Sequence, residues 1–277
     1  MSGPGSTGDG ADAPPRLVDT HCHLDEPVFD ADRVETLAAA RAAGVDRIIN
    51  IGYRPARWSS TASLTAEPGL FATFGVHPQH ADEWTPEVSD ALRARLSNPR
   101  ARALGEIGLD YFRDGPPESR QRRAFADQLA LAASLDLPVV IHQRAAEDDL
   151  IDVLGRSAQP PVVVLHSFDG SRRLAAFALE RGYRFGVGGL VTRARSVDLR
   201  SILADVPLDQ LLLETDSPYL VPAGFKNRRN VPANVARVAA FLADLTDRPL
   251  GEIAAATTAT AETIFGLGDA TRDLGEA

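Results

Sequence analysis

His21 and His23 stand two residues apart in the run Asp19-Thr20-His21-Cys22-His23. Side chains alternate along a strand, so here both imidazoles face one way and Cys22 the other. Two converging imidazoles form a chelate for a divalent metal ion. Four further residues of metal-binding type follow. Glu106 lies 83 residues after His23, His142 lies 36 after Glu106, His166 lies 24 after His142 and Asp216 lies 50 after His166. Each is expected to end a strand within an apolar run, where a carboxylate or imidazole is costly unless paired or metal-bound. Four histidines, a glutamate and an aspartate can hold one or two divalent ions.

Such a set works only if the fold brings it together. Short β-branched runs at 17–23, 47–52, 70–76, 101–108, 138–142, 162–166, 184–188 and 210–214 predict eight strands. Between them lie amphipathic helices. One spans 31–43 and ends at Gly44; another spans 119–135, with Phe125, Leu129 and Ala132 on one face. The runs VVIH and VVVLH do not alternate, which suits strands buried on both faces of a parallel sheet covered by helices. Eight such units predict an α/β fold, a single-domain (β/α)8 TIM barrel over residues 16–267. The segments 1–15 and 268–277 read as flexible tails. A doubly wound open sheet is the alternative, but it normally needs fewer strands.

A barrel of this length uses about 32 residues per unit. His21 and His23 then fall on strand 1, Glu106 on strand 4, His142 on strand 5, His166 on strand 6 and Asp216 just past strand 8. Active sites of this architecture sit at the C-terminal ends of the strands. Five of the six histidines end an expected strand or follow it closely, and the sixth, His80, shares a loop with His77.

With 277 residues, 44% hydrophobic and 24% charged, the chain has globular composition. Its net charge of −9 argues against a non-specific nucleic-acid coat but leaves room for a local basic groove. No run reaches the roughly 18 apolar residues of a membrane span. The run MSGPGSTGDGADAPP is small, polar and acidic, without the basic and apolar regions expected of a secretory signal. A lone cysteine, Cys22, forms no internal disulfide. The expected setting is cytoplasmic, with no membrane association and no obligate protein partner.

The motifs DTHCHLD at 19–25, GVHP at 75–78, GEIGLDY at 105–111, LPVVIHQR at 137–144, LHSFDG at 165–170 and LLLETDSPYL at 211–220 come in order. With Arg229-Asn230 and the closing TTATAETIF, they resemble the TatD family of metal-dependent deoxyribonucleases, in the amidohydrolase-like superfamily, over nearly the whole chain. The resemblance implies two divalent cations per subunit, Mg, Mn or Zn. It assigns His21, His23 and Asp216 to one ion, His142 and His166 to the other, and Glu106 as the bridge. Related amidohydrolases often bridge with a carbamylated lysine, but the sole lysine, Lys226, lies beyond strand 8.

The expected reaction is hydrolysis of DNA phosphodiester bonds by a metal-activated water, in the manner of an exonuclease acting on single strands or 3′ ends. Asp216 and Glu106 are the catalytic candidates, Asp216 as general base. His77 is expected to face substrate. Tyr111 and Phe112 are candidates for stacking on a base. Arg113, Arg144, Arg193, Arg195 and Arg228 or Arg229 follow expected strands and suit phosphate recognition. The alternative function is a metal-dependent amidohydrolase or lactonase acting on a small-molecule ester or amide.

Overall fold

The computed structural model describes residues 13–226 and 229–268. Most of both expected tails, and Arg228, lie outside the described residues. Eight parallel strands follow one another in spatial order: β1 (Leu17–Cys22), β2 (Val45–Gly52), β3 (Leu70–Phe74), β4 (Ala101–Asp110), β5 (Val139–Arg144), β6 (Val163–Leu165), β7 (Arg184–Val187) and β8 (Leu211–Leu213). Closure runs through the residues after β8. Cys22 bridges to Ser217, the His23 amide donates to the Ser217 carbonyl at 2.7 Å, and the Asp216 amide donates to the His21 carbonyl at 2.8 Å. The (β/α)8 barrel expected from the alternating runs is the observed fold.

The non-alternating strands bury both faces. Val140 and Val164 point into the barrel with Val18, Ile49, Ile51, Phe71 and Leu212, while Val139, Ile141, Val163 and Leu165 pack outward. The outer layer includes α1 (Arg33–Ala42), α2 (Trp58–Leu64), α3 (Pro86–Leu96), α4 (Glu118–Ser134), α5 (Glu147–Arg156), α6 (Arg172–Glu180), α7 (Val197–Leu203) and α8 (Val235–Thr246). In α4 the expected face is realised: Phe125, Leu129 and Ala132 are buried. A final helix, α9 (Leu250–Phe265), brings Ala261 and Phe265, followed by Leu267, against the interior apolar layer. Its Glu262 pairs with Arg16 and with the buried Arg47, whose strand neighbours Ile49 and Ile51 line the interior. The interior is therefore sealed away from the strand C-termini.

One expectation about the strands is corrected. Glu106 does not end β4, which runs on to Asp110. Between Gly105 and Ile107 the pairing with Val140 and Ile141 shifts by one residue, so Glu106 is the extra residue of a bulge. Bulges re-aim side chains and recur beside active sites. Here the bulge lets a mid-strand carboxylate reach the mouth. His142 likewise lies inside its strand, which ends at Arg144.

Candidate metal centre

Five segments converge at the C-terminal mouth of the barrel: β1, β4, β5, the end of β6 and the turn after β8. Alternation along β1 brings His21 and His23 toward Asp216, and the three offer ligand atoms within 4.8 Å of one another. His23 Nε2 lies 3.3 Å and His21 Nε2 3.8 Å from Asp216 Oδ1. Asp216 holds a left-handed φ of 56°, uncommon for a non-glycine residue and recurrent at functional sites. Glu106, 4% exposed, stands between the two sides of the site. Its Oε1 is 2.8 Å from His142 Nδ1, and its Oε2 is 3.5 Å from His21 Nε2. His166 stacks on His21 with ring centroids 3.4 Å apart, and its Nε2 lies 3.8 Å from Asp216 Oδ1 and 4.0 Å from Glu106 Oε1.

A second layer of carboxylates orients these rings. Glu214 Oε1 lies 3.0 Å from His166 Nδ1, turning the other ring nitrogen toward the centre. Asp110 Oδ2 lies 3.3 Å from His142 Nε2, leaving Nδ1 for the centre. Asp110 reaches His142 because Gly108, at φ +135°, lets β4 press against the His142 carbonyl, where any Cβ would collide. Asp19 Oδ1 accepts from the Thr215 amide at 2.9 Å and Oδ2 from its hydroxyl at 2.6 Å, fixing the turn that carries Asp216.

Electrostatics follow from burial and these contacts. Burial pushes the Glu106 carboxyl up, but His77, His142 and His21 outweigh it and hold it well below the usual carboxylate range. Asp216 is lowered in the same way by His23, His166 and His21 against the burial penalty. Burial pulls the His166 imidazolium down, yet Glu214, Glu106 and Asp216 push it up to about 10. His77 behaves oppositely: burial and the neighbouring His142 lower it to about 3. Asp19, wholly buried, is raised to about 8 by desolvation despite its Thr215 bonds.

The donor set fits divalent cations. His21 Nε2, which faces Glu106 and Asp216, is buried with no hydrogen-bond partner, a costly condition that a bound cation relieves. Donor atoms 3.3–3.8 Å apart match ligands that each sit about 2.0–2.2 Å from a shared ion. Residues 18–266 match the family model described as TatD related DNase. The chain belongs to the TatD family. It is 38% identical to the uncharacterized metal-dependent hydrolase YjjV of Escherichia coli K12, covering 91% of this chain and 98% of that protein. It is 35% identical to the 3′-5′ ssDNA/RNA exonuclease TatD of Klebsiella pneumoniae, with the same two coverages. The crystal structure of E. coli YjjV, described as a TatD homolog, superposes with a TM-score of 0.86 at 37% identity, covering 91% of this chain and 98% of that one. The chain is thus a metal-dependent hydrolase.

In this TatD-family barrel the structure brings together His21, His23, Glu106, His142, His166 and Asp216. It adds His77, whose Nε2 lies 3.7 Å from Glu106 Oε1, in a group with Glu106 and His142. His77 Nδ1 accepts the Gln79 amide at 3.1 Å, so the neutral ring carries its proton on Nε2 and presents a donor to the centre. Among the arginines, Arg113 is exposed, and its amide and that of Phe112 donate to Asp110 Oδ1. Arg144 ends β5 and Arg193 follows the turn after β7. Arg229 is otherwise engaged: it donates to Asp32 Oδ1 at 2.9 Å and to the Val28 carbonyl at 2.7 Å.

Sequence reasoning passed over Glu214 and Asp110. A signal for each was present. Glu214 lies two residues before Asp216, and Asp110 lies four after Glu106 within the quoted GEIGLDY motif.

Among the described residues, no helix is long and apolar enough to cross a membrane.

Proposed function

We propose that the chain is an exonuclease that hydrolyses phosphodiester bonds of single-stranded DNA with two divalent ions per subunit, Mg, Mn or Zn. The carrying observation is Glu106, whose two oxygens face His142 and His21 separately, as a bridging carboxylate must. His21, His23 and Asp216 would hold one ion, and His142 and His166 the other. The bound ions would lower the pKa of water toward neutrality and neutralise charge on the phosphate oxygens.

The remaining work falls to the chain's own groups. Asp216, ionised because its histidine neighbours outweigh burial, accepts the proton of the attacking water at a carboxylate oxygen. His77, neutral at pH 7, donates from Nε2 to a phosphate oxygen. Arg113, Arg144 and Arg193 offer guanidinium groups to the substrate backbone. The name of the K. pneumoniae relative supports a nucleic-acid substrate. A cytoplasmic setting belongs to the same reading and suits a cysteine that is buried and free.

The test is hydrolysis of an end-labelled single-stranded oligonucleotide by metal-stripped protein reloaded with Mg²⁺, Mn²⁺ or Zn²⁺. Stepwise release of nucleotides, absent in Glu106→Ala, is the expected result. No cleavage by protein shown to hold two ions would transfer the assignment to a small-molecule ester or amide.

A further inference from the structure

Two large aromatic side chains stand exposed near opposite walls of the mouth. Phe112, 66% exposed, follows β4, and Tyr219, 49% exposed, follows β8, four strands away around the barrel. Each is tied to one side of the centre. The Phe112 amide donates to Asp110 Oδ1 at 3.0 Å, and the other Asp110 oxygen meets His142. The Tyr219 amide donates to the Asp216 carbonyl at 2.7 Å, and its ring centroid lies 5.7 Å from that of His23.

Neither ring is spent on the core. One face of Phe112 is covered by the Arg144 guanidinium, 3.9 Å from the ring centroid. Such a cation backs the ring and adds positive charge beside it. Tyr111, its neighbour, is different: its hydroxyl donates to Asp149 Oδ2 at 2.7 Å and its ring packs against the outer core. Of the two aromatics adjacent in sequence, the structure therefore leaves Phe112 available.

We infer that Phe112 and Tyr219 are stacking platforms for the two bases flanking the terminal phosphodiester of a single strand. This rests on the phosphodiesterase reading above and deepens it. Every base offers a π-face, so stacking holds a strand without reading its sequence. In a duplex those two neighbouring bases are stacked on each other and paired to the other strand, so the end would have to open before each could meet its own ring. The arrangement therefore favours unpaired ends, and Arg144 serves both the ring it covers and the adjacent phosphate.

The experiment is an enzyme-by-substrate cycle. Metal-loaded wild type, Phe112→Ala and Tyr219→Ala are each given an oligonucleotide with intact 3′-terminal bases and one abasic at the last two positions. Losing one base–ring stack should raise KM roughly tenfold for the intact strand in either variant. The same variants should differ little from wild type in KM on the abasic strand, and Phe112→Trp should restore discrimination. Both positions are exposed, so the variants should melt with the wild type. If the alanine variants weaken intact and abasic strands equally, the stacking inference is overturned. If no strand is cut by any form, the phosphodiesterase reading fails instead.

Discussion

Glu214 sets its Oε1 3.0 Å from His166 Nδ1 while the same oxygen accepts the Ser167 amide at 2.6 Å. The contact fixes which nitrogen of His166 faces the centre. Outer carboxylates of this kind orient ligating imidazoles and raise their basicity. Glu214→Gln keeps the shape and removes the charge. It should weaken metal binding by about 10- to 100-fold. Titration of metal-stripped protein against a chelating indicator measures this, and an unchanged affinity would deny Glu214 its orienting role.

The space occupied by Glu214 depends on Gly186. A Cβ at that position would collide with the Glu214 carboxylate. Gly186→Ala should cost about 1–3 kcal/mol through overpacking. Combined with Glu214→Ala, the penalty should shrink, because the clashing group is gone. Denaturant unfolding of the two single variants and the double variant measures the coupling, and strict additivity would rule the clash out.

His77 and His142 both approach Glu106, but with different nitrogens in play. The Gln79 amide occupies Nδ1 of His77, whereas His142 directs Nδ1 at Glu106 and Nε2 at Asp110. His77→Ala should lower turnover on the order of 10²-fold or more, as loss of a transition-state donor does, and keep two ions bound. His142→Ala should lose one ion. Elemental analysis of the purified variants separates the two roles, and loss of metal from His77→Ala would make it a ligand.

Protons and metal compete for the same imidazoles. Without metal, carboxylates overcome the burial penalty to raise His23 and His142, and they push His166 up to about 10. Ligation needs the neutral ring, so each imidazolium that loads must release its proton. Glu106 and Asp216, held low, are already ionised and release none. Metal loading at pH 7 should therefore liberate protons, and apparent affinity should fall as pH falls. Calorimetry in buffers of different ionisation enthalpy measures the release. Loading with no buffer dependence would contradict the assigned protonation states.

The strand-and-helix alternation, the two-sided burial of runs such as VVIH, and the gathering of histidines and carboxylates on strands 1, 4, 5, 6 and after 8 were readable from sequence alone. Those features depend on local periodicity and on the length of one βα unit, and both are written along the chain. The tertiary structure decided what depends on register and on distant partners. It placed Glu106 in a bulge inside β4, because pairing with β5 slips by one residue there. It drew Glu214 and Asp110 beneath His166 and His142, contacts between different strands that no spacing rule along one strand encodes. It engaged Arg229 with Asp32 and left Phe112 exposed where Tyr111 is bonded. Loop side chains follow no period, so only the folded neighbours determine which ones are left to meet a substrate.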